Sequence, residues 1–147
     1  MHIRKATLND LKPLAMLFDD YRVFYKQQSD LSAAEAFLKG RISNNESVIF
    51  IAENDDCILG FTQLYPTFSS VSLESFYILN DLYVSTDSRG KGIGKAILNY
   101  CQNWVINHGY KGLSLETASD NPAQNLYERE GWSRDKGFYH YFWKNEK

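Results

Sequence analysis

The sequence predicts one mixed α/β domain over residues 1–147, with a single, mostly antiparallel central sheet flanked by about four helices. Three observations predict this class. Apolar residues recur at helical spacing early in the chain, the period changes to two from Ser47, and helical spacing returns after Gly94. No repeat or linker-like stretch divides the chain. At 147 residues, 44% of them hydrophobic, the chain is long enough to bury one core without a metal or a disulfide.

The first part of the chain is predicted to form one strand and two helices. Residues 2–7 alternate as in a short strand. Thr7 with Asp10 three residues later resembles an acidic variant of a capping box, which marks the start of a helix. A second helix is expected from Ser32 to about Ile42, with Ser32 as its N-cap.

The middle of the chain is predicted to form antiparallel strands. The β-branched run of residues 48–52 turns at residues 54–56 into a second strand from Ile58, so a hairpin is expected. Pro66 and nearby serines interrupt this pattern. A further strand is expected over residues 76–84.

The rest of the chain is predicted to alternate helices and strands. After a loop over residues 85–94, apolar residues recur at helical intervals up to Gly109, a natural left-handed helix cap. A strand over residues 113–117, a helix from Pro122 to Gly131 and an aromatic strand over residues 138–143 complete the order. This order predicts one layered α/β structure.

Charge and composition exclude several classes of protein. The chain has 16 Lys and Arg against 18 Asp and Glu, so it offers no basic stripe to a nucleic acid. The longest apolar run, residues 48–52, is far shorter than the roughly 20 residues that span a bilayer, so no membrane partner is expected. Cys57 and Cys101 lack a CxxC spacing and the first residues do not resemble a signal peptide, which predicts a reducing cytoplasm. The three histidines lack companions at ligand spacing, so no metal site is expected.

A glycine-rich loop carries the strongest chemical signal. Gly90, Gly92 and Gly94 cluster where a predicted strand is followed by a helix. Glycines let a ligand approach the backbone closely, and the first N–H groups of a helix lack intrahelical partners, so this segment is suited to a pyrophosphate. The spacing fits neither a P-loop nor a dinucleotide fingerprint. The other residues of the predicted site are Arg89, Lys91, Ile93 and Lys95.

The pattern Arg89-x-x-Gly92-x-Gly94 resembles the acyl-CoA pyrophosphate motif of the GNAT superfamily of N-acetyltransferases. The resemblance extends over nearly the whole chain. It implies a sheet with a V-shaped opening between splayed strands, and acetyl-CoA as the cosubstrate. The segment NDLYV resembles the family's fourth strand, in which the backbone of Leu82 and Val84 would bind the pantetheine arm.

A later segment carries the same resemblance. Residues 116–132 resemble the strand and helix in which Asn121 or Asn125 would contact the cofactor and Tyr127 would face its sulfur. With a pKa near 10 against about 8.5 for a thiol, Tyr127 would act as a hydrogen-bond donor to the leaving thiolate. Residues 18–25 resemble the diamine and polyamine acetyltransferase-like branch, although core packing is the alternative there. Residues assigned to the acceptor amine are Tyr21, Tyr25 and Asn80.

Acetyl transfer to an amine requires the neutral nitrogen. At pH 7 only about one primary alkylamine in 2500 is neutral, so deprotonation costs about 4.6 kcal/mol. Asp81 and Glu116 are the candidate bases, although a buried structural carboxylate is the alternative for Asp81. Asn80 stands where the polyamine branch often has Glu, and it cannot accept a proton, so a water relay through either candidate is expected. The N–H of Leu82 or Tyr83 would stabilise the oxyanion.

The predicted function is direct acetyl transfer from acetyl-CoA to a primary amine of a small molecule, such as a diamine, polyamine or amino-acid-like compound, or of a protein. One alternative is a CoA-binding sensor that has lost the chemistry, motivated by Asn80. The other is an adaptor that self-associates through the aromatic residues 137–143. Those aromatic residues also predict a homodimer. Acidic residues near the first two helices, such as Asp19, are expected to form a solvated face.

Overall fold

The computed structural model describes residues 1–55 and 57–146, which form two compact units, one within residues 1–116 and one from Thr117 onward. The first unit contains a five-stranded sheet and three helices, and the second contains one short helix. The elements are β1 (His2–Lys5), α1 (Leu11–Phe24), α2 (Leu31–Ser43), β2 (Val48–Asn54), β3 (Cys57–Ser69), β4 (Glu74–Val84), α3 (Ile93–His108), β5 (Leu113–Ser114) and α4 (Ala123–Arg129). None of the helices in these ranges has the length and apolar character needed to cross a membrane.

The sheet has the strand order β1-β2-β3-β4-β5. The first four strands pair antiparallel, whereas β5 lies parallel to β4. The mixed, mostly antiparallel sheet predicted from the sequence is therefore confirmed. The predicted hairpin is present as well, with Asn54 opposite Cys57, while Asp56 of its turn lies outside the described residues.

Both faces of the sheet are covered by helices. Ile49 and Ile51 of β2 belong to a buried cluster with residues of α1 and α2. Phe50, on the opposite face because side chains alternate along a strand, packs its ring 5.0 Å from Tyr100 and 5.5 Å from Trp104 of α3. Strand β2 is thus buried on both sides, which explains its continuous apolar run.

A β-bulge interrupts the pairing of β3 with β4. Gln63 lies opposite Asp81, but the next pair is Leu64 with Leu79, so Asn80 is an extra residue on β4. A bulge of this kind bends its strand and redirects the neighbouring side chains. The sequence pattern did not predict it.

The predicted opening in the sheet lies between β4 and β5. The two strands pair only at Tyr77 and Ile78. Residues 79–84 of β4 therefore have β3 as their only strand partner within the described chain. Alternate N–H and C=O groups of this segment face the opening.

The N-cap of α2 differs from the prediction. The helix begins at Leu31, and the carboxylate of Asp30 accepts a hydrogen bond from the N–H of Ala33 at 3.0 Å. Ser32 is therefore a helical residue rather than the cap. Asp and Ser are comparable caps, so the order of residues alone does not decide between them. By contrast, the capping box of Thr7 and Asp10 is present as predicted, around a 3-10 turn that precedes α1.

Two strand boundaries also differ from the prediction. Strand β3 continues through Pro66. Among the described residues it has β4 as its only neighbour beyond Leu64, and a proline is tolerated on such an edge. Strand β5 is only two residues long rather than five.

Residues 138–143 form no strand, and their aromatic side chains are 82–89% exposed, so the predicted aromatic strand is wrong. A strand requires a hydrogen-bonded partner, and within the described residues this segment has none.

Candidate active site

Asp81 lies in β4 at the start of the opening and is only 5% exposed. Its carboxylate accepts hydrogen bonds from the side-chain amides of Gln63 at 2.7 Å and Asn80 at 3.0 Å, and from the hydroxyl of Tyr21. Burial raises the pKa of Asp81 above its ordinary value, although the three donors oppose that shift. The result is a buried carboxylate with an increased affinity for a proton.

The bulge places Asn80 beside this carboxylate. Strand alternation predicts Asp81 on the face of Leu79 and Tyr83, and all three are buried. The same alternation places Asn80 on the opposite face, yet its amide reaches Asp81. Asn80 is exposed, so it links the buried carboxylate to the surface.

An aromatic cluster surrounds the carboxylate on the side of α1. The ring centroid of Tyr21 lies 5.1 Å from that of Tyr25, 5.8 Å from Phe61 and 5.9 Å from Tyr83. Burial and the negative charge of Asp81 raise the pKa of Tyr21, so its hydroxyl stays protonated and acts as a donor. The structure thus brings together four residues that the sequence assigned to the acceptor or to proton transfer: Tyr21, Tyr25, Asn80 and Asp81.

Three polar residues of the site were missed by the sequence analysis. Gln63 is fully buried, and its side-chain oxygen accepts a hydrogen bond from the hydroxyl of Ser47 at 2.8 Å. Burial and the charge of Asp81 raise the pKa of Tyr65 to about 12. A glutamine inside the apolar stretch GFTQLY is the one signal that would have marked this strand as unusual.

Two glycines of the predicted loop adopt the left-handed backbone conformation. Gly90 and Gly92 have φ angles of 75° and 76°, and a Cβ added to either would meet no atom within 4 Å. Helix α3 begins at Ile93, and no side chain caps its first turn. Its first N–H groups therefore have no side-chain cap, as the predicted anion site requires, and the binding of a pyrophosphate there stays a prediction.

The cations of the loop differ in their surroundings. The Nε of Arg89 donates to the carbonyl of Val84 at 3.1 Å, and its guanidinium lies 5.3 Å from the ring centroids of both Phe24 and Tyr83. Lys91 donates to the carbonyl of Asp87 at 3.1 Å. Arg89 therefore joins the loop to β4 and α1. Gly94 and Lys95 lie in the first turn of α3, and Lys95 is exposed.

Among the predicted cofactor contacts on β4 are Leu82, Tyr83 and Val84. Leu82 and Val84 are half-buried, whereas Tyr83 is buried in the core. All three lie in the segment that faces the opening. The carbonyl of Val84 already accepts the hydrogen bond from Arg89.

The second unit contains the other predicted cofactor residues. The side-chain oxygen of Asn121 accepts a hydrogen bond from the N–H of Ala123, the first residue of α4, at 2.9 Å. Asn125 is exposed. Tyr127 is half-buried, with its ring centroid 6.1 Å from that of Trp132. The roles assigned to these residues stay predictions, as does that of Glu116, which is exposed two residues beyond β5.

Asp19 does not belong to a solvated face as expected. Its buried carboxylate accepts hydrogen bonds from the hydroxyl of Ser29, the N–H of Asp30 and the guanidinium of Arg22. The hydrogen bond from Ser29, followed by that from Asp30, lowers the pKa of Asp19. Through these hydrogen bonds the carboxylate of Asp19 stabilises the connection between α1 and α2.

Neither cysteine is arranged as a nucleophile. Both thiols are free, Cys57 exposed and Cys101 buried in α3. Burial raises the pKa of Cys101 to about 12, so its reactive thiolate is suppressed. No group of three side chains able to hold a metal ion occurs in residues 1–55 or 57–146.

Comparison with known proteins agrees with this arrangement. A sequence profile described as the acetyltransferase (GNAT) family matches residues 14–132. The chain is 51% identical over 142 residues to the uncharacterized N-acetyltransferase YhfO of Bacillus subtilis (strain 168), covering 96% of this chain and 95% of the relative. A more distant match is the thialysine N-epsilon-acetyltransferase of Bos taurus, 30% identical over 52% of this chain and 50% of that protein.

A solved structure supports the same assignment. A crystal structure of a probable acetyltransferase matches 100% of this chain and 99% of its own, with 37% identity and a TM-score of 0.94. The fold, the glycine loop and the family profile thus agree over most of the chain. The chain belongs to the GNAT family and is an acetyl-CoA-dependent acetyltransferase.

Proposed function

We propose that this acetyltransferase acts on the primary amine of a small molecule and that Asp81 accepts the proton from that amine. The observation that carries the proposal is the buried Asp81 carboxylate at the opening of the sheet, beside the rings of α1. A carboxylate whose pKa is raised accepts a proton more readily than an exposed one. Asp81 is therefore preferred over Glu116, which is exposed.

The surrounding residues favour an amine in two ways. The rings of Tyr21 and Tyr25 present π-faces that attract an alkylammonium group. Once the amine is bound, desolvation by the apolar surroundings acts in the opposite sense: it disfavours the charged form and so reduces the cost of about 4.6 kcal/mol for deprotonation at pH 7. The exposed amide of Asn80 is placed to orient the amine or a relaying water next to Asp81.

The acetyl-CoA site is assigned to the loop and to β4. Acetyl-CoA supplies the activated acetyl thioester when it is bound. The segment from Arg89 to Lys95 would hold the pyrophosphate through backbone N–H groups, and the backbone of residues 82–84 would hold the pantetheine arm. The N–H of Leu82 or Tyr83 would stabilise the developing oxyanion. Asn121 or Asn125 and the hydroxyl of Tyr127 complete the proposed contacts.

The acceptor is proposed to be a small aliphatic amine of the diamine, polyamine or amino-acid-like class. The partial likeness to a thialysine acetyltransferase supports an amino-acid-like amine. Protein amines are the competing acceptors and belong in the same assay panel. The free, exposed Cys57 supports a reducing, cytoplasmic location.

The test of Asp81 is a thiol-release assay with acetyl-CoA and a panel of amines. We expect Asp81→Asn to lower kcat by on the order of 10²-fold or more, because the base is lost. The matched control is Asp55→Asn in the β2–β3 turn, which makes the same change at an exposed residue with a φ of 44° that Asn tolerates. An Asp81→Asn enzyme with the turnover of the Asp55→Asn enzyme would exclude Asp81 as the base.

The test of the loop is calorimetric titration with acetyl-CoA. Gly92→Glu adds a negative charge at the proposed pyrophosphate site, so we expect binding to be lost. Gly109→Glu is the control, because this glycine at the other end of α3 has a φ of 72°, close to the 76° of Gly92. Equal loss of affinity in both variants would mean that the strain at a positive φ, rather than the loop, controls binding.

A further inference from the structure

Gln63 occupies an unusual position for a polar side chain. It is fully buried in β3, and both ends of its carboxamide are hydrogen-bonded. The nitrogen donates to the Oδ2 of Asp81 at 2.7 Å, and the oxygen accepts from the hydroxyl of Ser47 at 2.8 Å. A buried polar group of this kind is costly unless every partner is in place.

The carboxylate of Asp81 determines which way the carboxamide points, because an ionised carboxylate only accepts hydrogen bonds. In the opposite orientation the amide oxygen of Gln63 would face the carboxylate oxygen of Asp81, and two acceptors would repel each other. By donating to the oxygen of Gln63, Ser47 satisfies the other end of the carboxamide and anchors the side chain in this orientation. A carboxamide does not pass protons along a chain as a hydroxyl or water does, so Gln63 orients Asp81 rather than relaying its proton.

We propose that Ser47 and Gln63 are positioning residues that hold the Asp81 carboxylate in place and set its affinity for the transferred proton. The catalytic part of this inference rests on the proposed function, in which Asp81 is the base. Its physical content, a chain of two hydrogen bonds from Ser47 to Asp81, is independent of the acceptor. Neither residue is placed in contact with the amine or with acetyl-CoA.

The other groups that act on Asp81 in the described part of the chain do not replace Gln63. Tyr21 from α1 and Asn80 on β4 also donate to the carboxylate. Tyr65 of β3 faces it with a neutral phenol. The positive charge of Arg41 in α2 opposes the rise in the pKa of Tyr65. The donor from Gln63 is the largest influence that lowers the pKa of Asp81. Its removal therefore raises that pKa.

The proposal is tested by following the carboxyl carbon of Asp81 by ¹³C NMR as a function of pH. The signal is assigned by its absence in Asp81→Asn. We expect Gln63→Leu to raise the apparent pKa of Asp81 by about one unit and Ser47→Ala to raise it by about half a unit, since a lost donor destabilises the carboxylate. Ser47→Thr, which restores the hydroxyl, is expected to titrate like the wild type.

Two controls separate positioning from general loss of stability. Thr62→Val removes a buried hydroxyl that donates to the main-chain carbonyl of Asp81 at 2.8 Å, not to its carboxylate. Ser72→Ala removes an exposed hydroxyl that accepts from Lys111 at 2.8 Å. Both are expected to leave the titration of Asp81 unchanged. Because Ser47 is only half-buried, its variants provide the test even where Gln63→Leu does not fold.

The outcomes decide the two proposals separately. An unchanged pKa of Asp81 in Ser47→Ala and Gln63→Leu would overturn the positioning role. A raised pKa, with the acid limb of the kcat profile moved to higher pH by the same amount, would support it. Wild-type turnover in Asp81→Asn would instead overturn the proposed base, whereas the NMR titration would still report on the hydrogen bonds.

Discussion

At the scale of a single residue, the role of Asp81 is tested most directly by the pH dependence of kcat. Burial raises its pKa above its ordinary value, and the base works only when ionised. As pH falls, Asp81 is therefore protonated earlier than an exposed aspartate, and kcat falls with it. We expect an acid limb in kcat with an apparent pKa above about 4.

The measurement needs an acceptor that stays neutral throughout, such as an aromatic amine or hydrazide of low pKa. With such an acceptor Asp81 takes the proton that the nitrogen loses after it attacks the thioester, and the ionisation of the free substrate does not contribute to the acid limb. A kcat that stays constant down to pH 4 would contradict the prediction, because it would mean that no buried base titrates in the complex.

Tyr127 supports a second prediction at this scale. Its phenol hydroxyl is a hydrogen-bond donor that would stabilise a leaving thiolate. We expect Tyr127→Phe to lower kcat by on the order of 10²-fold, with little change in the Kd of acetyl-CoA. Tyr139→Phe, at an exposed tyrosine of the same unit, is the control. Unchanged turnover in Tyr127→Phe would remove the phenol from the mechanism.

At the scale of elements, Gly60 controls how closely β3, β4 and α3 approach one another. A Cβ at this position would lie 2.9 Å from the carbonyl oxygen of Tyr83 and 3.3 Å from a methyl of Ile97. The contact with backbone cannot relax cheaply, so we expect Gly60→Ala to lower the free energy of unfolding by about 1–3 kcal/mol. Urea denaturation measures the change.

The matched control for this substitution lies in α2. A Cβ at Gly40 would meet no atom within 4 Å, and alanine is the better helix former. We expect Gly40→Ala to raise the free energy of unfolding by about 0.5–1 kcal/mol. If both variants changed stability in the same direction, close packing at Gly60 would not be the cause.

Element boundaries were predictable where the signal is local. The capping box at Thr7 and Asp10 and the left-handed cap at Gly109 involve neighbours in the chain, and both are present as predicted. The bulge at Asn80 and the continuation of β3 through Pro66 depend on which strands lie alongside. Local patterns contain no information on those partners.

At the scale of the whole molecule, the aromatic residues of the last segment predict self-association. In residues 138–143 the Phe, Tyr and Trp side chains are 82–89% exposed. Together they form a large exposed apolar surface, which is unusual for a monomer. We expect a homodimer of about 34 kDa, twice the chain mass of 17.0 kDa, that survives dilution in size-exclusion chromatography. A monomer at all concentrations would contradict this prediction.

Substitution identifies the surface responsible. Replacing Phe142 and Trp143 by serine is expected to shift the protein to the monomer. The control is Phe68→Ser near the end of β3, which removes an aromatic residue that is 76% exposed. A dimer lost only in this control would assign the interface to the β3–β4 hairpin instead.

The sequence by itself determined the order of the elements as far as α4, the hairpin and the glycine-rich motif that indicates the family, because each depends on residues that are close together along the chain. It also identified candidate site residues, namely Asp81, Tyr21, Tyr25 and Asn80. Only the tertiary structure decided that these four meet, and that Gln63, 18 positions away in the neighbouring strand, donates to Asp81. The reason is physical: strand register and the bulge determine which distant side chains share a face, and a shift of one residue would have placed Asp81 on the other side of the sheet.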